Sequence, residues 1–108
     1  MILDLTDGYV KICMNTWLLC EVCIHAEEGK KIPKKKLLMA CKQCSDSCMS
    51  VISMFISNSS SVHQKAFDCF LFCRQCHKEC TDEDTEYCAS VCDKCAEMMK
   101  ELMLLNLN

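Results

Sequence analysis

The sequence predicts an all-α protein, an antiparallel up-down four-helix bundle with a cysteine-lined core. Three observations carry that prediction. Helix breakers are scarce, with two Gly and one Pro in 108 residues, so long helices can run without interruption. Three short polar breaks divide the chain into four segments, each long enough for roughly 30 to 40 Å of helix at 1.5 Å per residue. Within those segments 13 cysteines recur at steps of 3, 4 or 7, which is the repeat of one helix face.

The elements follow in order. The first helix is expected over about residues 4–27 and ends at Glu28-Gly29-Lys30-Lys31-Ile32-Pro33. The second, about 34–57, opens beside Pro33, a residue suited to the first turn of a helix. Ser57-Asn58-Ser59-Ser60-Ser61 forms the next break, where Ser61 and Gln64 have the spacing of a capping box. The third helix is expected over about 62–80. Thr81-Asp82-Glu83-Asp84-Thr85 is acidic and hydroxylic, as a helix N-terminus prefers, and the fourth helix runs over about 84–105. Loops this short make consecutive helices antiparallel neighbours, so residues 1–108 read as a single four-helix-bundle domain. The apolar run 51–56 could imitate a strand, but no alternation supports one.

Charge narrows the function. The net charge is -3 and charged residues make up 25%, which leaves no footprint for nucleic acid or an anionic membrane. The basic run Lys30, Lys31, Lys34, Lys35 and Lys36 around Pro33 reads as a solvated turn and helix start. No apolar run is long enough to span a bilayer. Met1-Ile2-Leu3-Asp4-Leu5-Thr6-Asp7 lacks the basic and apolar regions of a signal peptide. A cytoplasmic location is expected, where thiols stay reduced and read as metal ligands. No Ser-His-Asp set, phosphate loop or paired carboxylate site is visible. Thirteen equivalent cysteines also argue against one special nucleophile, so the protein is not expected to be an enzyme.

The cysteines fall into four stripes. Cys13, Cys20 and Cys23 lie on the first segment, and Cys41, Cys44 and Cys48 on the second. Cys69, Cys73, Cys76 and Cys80 lie on the third, and Cys88, Cys92 and Cys95 on the fourth. Apolar residues extend the same stripes: Leu37, Ile52 and Phe55, then Val62 and Ala66, then Met99, Leu102 and Met103. The cysteine face is therefore the core face. Free cysteine can serve as a small core hydrophobe, but a core built on it would be under-filled, and cavities destabilise. Disulfides are the second alternative. Neighbours one helical turn apart have Cβ atoms about 5 to 6 Å apart, beyond the roughly 3.5 to 4.5 Å a disulfide needs. An odd number of cysteines would also leave one thiol over.

Soft thiolates select Cu(I), Zn(II) or iron–sulfur clusters. A thiol that exchanges H⁺ for Cu⁺ leaves the charge of its site unchanged. A Zn(II) held by four thiolates carries a net charge of about -2, and burying unpaired charge is expensive. No Lys or Arg lies within the cysteine stripes to offset it. The Cys73-Arg74-Gln75-Cys76 spacing matches iron–sulfur ligand runs only superficially, because no cysteine here precedes a Pro. Cu(I), at the order of one ion per cysteine, is the expected cargo. A zinc-buffering or structural thiolate protein is the alternative.

The stretch Cys69-Phe70-Leu71-Phe72-Cys73-Arg74-Gln75-Cys76-His77-Lys78-Glu79-Cys80, followed by Tyr87-Cys88-Ala89-Ser90-Val91-Cys92-Asp93-Lys94-Cys95-Ala96, resembles the bacterial copper storage proteins of the cytosolic type. The resemblance extends over all four segments. It implies a four-helix bundle assembled as a homotetramer, with cysteines pointing inward to bind many Cu(I). It also implies that Cys44/Cys48, Cys69/Cys73, Cys76/Cys80 and Cys88/Cys92 each clasp copper within one helix. Cys13, Cys20, Cys23, Cys41 and Cys95 would then complete sites across helices. Cys13 departs from the pattern, having Thr16 and Trp17 where a partner would stand.

Antiparallel packing places Cys23, Cys41, Cys80 and Cys88 toward one end, with His25, His77 and Glu27 nearby. Ile2, Phe55, Val62, Leu102 and Met103 lie toward the other. Copper is expected to enter at the thiol end, with His77 as a ligand at the mouth, which the resemblance also implies. His25 and His63 fall off the cysteine face and read as surface residues. Most methionines read as filler, although Met99 and Met103 share the cysteine face and thioether is a Cu(I) ligand type. Phe67, Phe70 and Leu71 point away from the core and suggest self-association. The copper donor or acceptor protein is not legible.

Overall fold

The computed structural model describes residues 3–105, with side chains from residue 7 onward. It contains four helices, α1 (Leu3–Glu28), α2 (Lys35–Ile56), α3 (Val62–Glu79) and α4 (Glu86–Leu104), with a one-turn 3-10 helix at Glu83–Thr85 before α4. Helix α1 packs on α2 and α4, and α3 packs on the same two. This is an all-α four-helix bundle, elongated at 49 × 21 × 19 Å.

Local chemistry sets the turns. Past the C-cap Ser57 of α2, Asn58 takes φ 54°, a left-handed conformation that Asn tolerates better than most side chains. The amide of Ser59 then reaches Met54 O at 2.9 Å and that of Asn58 reaches Phe55 O at 3.2 Å, the paired bonds that close a helix end. The Ser61/Gln64 capping box expected from spacing does not form. Ser61 has φ -82° and ψ 3°, not the extended conformation a capping side chain requires. Gln64 instead donates to Asp68 Oδ1 at 3.3 Å. Before α4, the Thr85 hydroxyl accepts from the Asp82 amide at 3.2 Å and donates to the Asp82 carbonyl at 2.9 Å. That turn delays α4 until Glu86.

One core column runs the length of the bundle. All 13 cysteines are buried in it. Beyond them the column becomes apolar, with Ile52, Val62, Ala66 and Leu102 buried and the Tyr9 ring stacked on Phe55 at 6.3 Å and 2°. Phe55 and Met103 pack there partly buried, whereas Ile2 lies outside the described residues. His63 Nε2 meets Leu105 O at 2.8 Å, tying the start of α3 to the end of α4 at this apolar end.

Candidate metal centre

Twelve of the cysteines form three quartets, each taking one sulfur from each helix. Cys23, Cys41, Cys80 and Cys88 form the first, Cys20, Cys44, Cys76 and Cys92 the second, and Cys13, Cys48, Cys69 and Cys95 the third. In each quartet the sulfurs lie within 4.8 Å of one another. Below they are the mouth, middle and deep quartets. The antiparallel arrangement produces this register. As numbering falls along α1 (23, 20, 13) and α3 (80, 76, 69), it rises along α2 (41, 44, 48) and α4 (88, 92, 95).

From the middle to the deep quartet, α1 and α3 each step seven residues. That step leaves room on α3 for Cys73, which groups with Cys44 and Cys48. The corresponding residue on α1 is Thr16, fully buried, whose hydroxyl turns away to donate to Ile12 O at 2.7 Å. Cys13, without a cysteine partner one turn away in its own helix, is placed squarely in the deep quartet. Three quartets and Cys73 account for all thirteen thiols.

Sulfurs touch within and across helices. Cys69 and Cys73 stand 3.8 Å apart and Cys76 and Cys80 4.0 Å apart. Cys44 and Cys48 also lie within one group, whereas Cys88 and Cys92 fall in different quartets. Contacts between helices are equally short: Cys23–Cys41 and Cys41–Cys76 at 3.6 Å, Cys44–Cys73 at 3.6 Å, and Cys48–Cys69 at 3.8 Å. These separations far exceed the roughly 2.05 Å of a disulfide, and all thirteen residues are free thiols. A metal with bonds of about 2.3 Å to sulfur sets tetrahedral sulfurs about 3.8 Å apart. Within the quartets Cys23–Cys41 and Cys48–Cys69 already stand near that separation, and sulfurs nearer the 4.8 Å bound would draw in by up to about 1 Å to share a metal.

Electrostatics in the column is shared. Hydrogen bonds from Cys13, Cys48 and Cys73 lower the Cys69 thiol to about 6. Those from Cys23, Cys41 and Cys76 lower Cys80 to about 5. The donors are pushed the other way: Cys48 is held high by its bonds to Cys13, Cys44 and Cys69 and by burial. Cys73 is held high chiefly by its bond to Cys44. Each shift is set by sulfur neighbours within the column, which raise one thiol of a contact as they lower the other.

The thiol end is covered. Glu27, only 2% exposed, accepts the Lys34 amide at 2.8 Å and pairs with Lys30 at 3.0 Å. Lys30 also pairs with Asp84 at 3.2 Å, and Lys34 with Asp82. These contacts join the α1–α2 loop to the α3–α4 turn, one helical turn beyond the mouth quartet, with Leu37 and Thr85 buried at the same level. The Glu27 carboxyl is held below its ordinary range by the Lys34 amide and then by Lys30. Glu27 thus serves the loop rather than facing the sulfurs. His77 is exposed, with Nδ1 at 2.9 Å from Ala89 O. It joins none of the cysteine groups, nor does the exposed His25.

Two features were not read from the spacing. One is the sorting of the stripes into quartets, which depends on the relative axial shift of four helices. The other is a sulfur contact outside the cysteines, with Cys13 Sγ 4.0 Å from Met99 Sδ. Its sequence signal was the position of Met99 on the α4 cysteine face.

A family model described as copper storage protein (Csp) matches residues 5–104 of the chain. No curated protein and no solved structure matches it.

Proposed function

Because the chain belongs to the copper storage protein family, we propose that it stores multiple Cu(I) ions on cysteine thiolates inside the bundle, at the order of one ion per cysteine. The observation that carries this reading is the surroundings of the sulfurs. Among the described residues no Lys or Arg is buried. The buried Ser and Thr hydroxyls are turned elsewhere: Thr16 to Ile12 O, Ser47 to Cys44 O, Ser45 to Glu21 and Thr85 to Asp82 O. Nothing in the column offsets net negative charge, so the ions it holds should neutralise their thiolates one for one. Cu(I) does so.

The quartets favour a second reading, three tetrahedral Zn(II) sites. Their spacing fits zinc, but each site would bury about -2 with no counter-charge. Titration of the reduced, metal-free protein separates the two. Uptake near one Cu(I) per thiol supports storage, and saturation at three Zn(II) with weaker Cu(I) uptake supports zinc.

The ligands would be the thirteen cysteines, with His77 as an outer ligand whose Nε2 has no partner among the described residues. Copper would enter at the mouth quartet, where Cys23 and Cys80 each keep 8% exposure while the deep quartet has none. The role is storage rather than catalysis, and the location cytoplasmic. No helix of the described residues is long and apolar enough to cross a membrane. Homotetramer formation would cover Phe67 and Leu71 on α3, and a stripe of Met14, Leu18 and Val22 on α1, all exposed. A strict monomer by mass in solution would exclude that assembly.

A further inference from the structure

We propose that Met99 is a copper ligand, forming with Cys13 a mixed thioether–thiolate site at the blind end of the sulfur column. The inference rests on the Cu(I) reading and extends it to a residue outside the cysteine set. Met99 and Cys13 are both fully buried, and their sulfurs are 4.0 Å apart. That distance equals the Cys76–Cys80 separation. With bonds of about 2.3 Å, two sulfurs 4.0 Å apart subtend roughly 120° at the metal between them, which is a trigonal angle. The other deep-quartet sulfurs, within 4.8 Å of Cys13, can supply the third ligand as a thiolate shared with a neighbouring Cu⁺, whose charge balances it.

Chemistry agrees with geometry. Thioether sulfur is soft and selects Cu(I). It is also neutral, so Cu⁺ between Met99 and the Cys13 thiolate leaves no charge in the apolar end. Binding displaces one proton, from Cys13, and none from Met99. Zn(II) at the same place would keep a net charge.

The position distinguishes Met99 from the other methionines among the described residues. Met14, Met39 and Met49 are exposed, and Met54, Met98 and Met103 are partly buried. Sealing this end needs no sulfur, because Leu102 stands fully buried on the same face of α4. A run of sulfur contacts, Cys41–Cys76 at the mouth and Cys44–Cys73 and Cys73–Cys69 further in, leads into the deep quartet. The Cys13–Met99 contact ends that run.

Selenium X-ray absorption on the full chain, produced with selenomethionine and loaded with Cu(I), tests the assignment. Expected is one selenium–copper bond per chain, lost in Met99→Leu and kept in Met98→Leu. Copper bound with thiolate charge-transfer absorbance but no selenium–copper bond overturns the Met99 site alone. A chain that takes up no Cu(I) overturns both this site and the storage reading.

Discussion

The bundle closes its two ends by opposite chemistry. At the blind end Leu102, Val62 and Ala66 are buried and the rings of Tyr9 and Phe55 stack. At the mouth, two loops are joined by ion pairs among Lys30, Lys34, Asp82, Asp84 and Glu27. Burying a side chain the size of Val62 or Leu102 contributes about 1.5 to 3 kcal/mol, while the exposed pairs Lys30–Asp84 and Lys34–Asp82 that cross between the loops contribute little and are screened by salt. Under the proposed entry at the thiol end, the apolar end stays shut while the loops part without unfolding the bundle. The largest expected effect follows from the strong end. Leu102→Ala should destabilise the apo bundle by about 2 to 5 kcal/mol, seen in urea or thermal unfolding, yet leave the initial rate of Cu(I) uptake unchanged. Faster uptake from this substitution would place the door at the wrong end.

Sequence alone made one half of this contrast plain. Steps of 3, 4 and 7 can only align on a 3.6-residue helix, so the stripes, the four helices and the apolar plug followed directly. The mouth was harder. Glu27 was legible as a neighbour of Cys23, but its engagement by the Lys34 amide depends on how the loop folds back. The Ser61/Gln64 spacing met the pattern of a cap while the Ser61 backbone did not. The quartets depend on axial shifts between helices, which no single-helix periodicity contains. Within one helix Cys69 and Cys73 stand 3.8 Å apart and Cys76 and Cys80 4.0 Å apart, whereas Cys88 and Cys92 share no group, each joining sulfurs of other helices.

A middle-sized effect should appear between the two ends. Cys73 touches Cys44 of the middle quartet at 3.6 Å and Cys69 of the deep quartet at 3.8 Å, a bridge over the seven-residue step. Cys73→Ser should lower capacity by about one Cu(I) under the one-per-thiol rule. It should also slow the late phase of loading several-fold, leaving the early phase intact. Stopped-flow absorbance of thiolate-to-copper charge transfer resolves the phases. Uniform slowing of both phases would show that copper does not pass the quartets in order.

The smallest effect belongs to the loops, and it has a definite sign. Glu27 and Asp82 are both held below their ordinary values of 4.5 and 3.8, Glu27 first by the Lys34 amide and Asp82 first by the Lys34 ammonium. A depressed carboxyl stabilises the fold fully above its unfolded value, and that contribution is lost as pH falls through the folded one. The loop contacts should therefore persist at neutral pH and through the ordinary carboxylate range, and loosen only below it. Protons also displace copper from thiolates there, so the metal-free protein is the clean subject. Amide hydrogen exchange of residues 29–34 and 82–85 should accelerate in acid before that of α2 and α4. At neutral pH the double substitution Asp82→Asn and Asp84→Asn should raise the early rate of Cu(I) uptake a few-fold. The same change should remove most of that rate's salt dependence, with capacity unaltered. Added salt should mimic the substitution in the unmodified chain, because screening weakens the same pairs. An early rate indifferent to both salt and substitution would mean the loops move for reasons other than these charges.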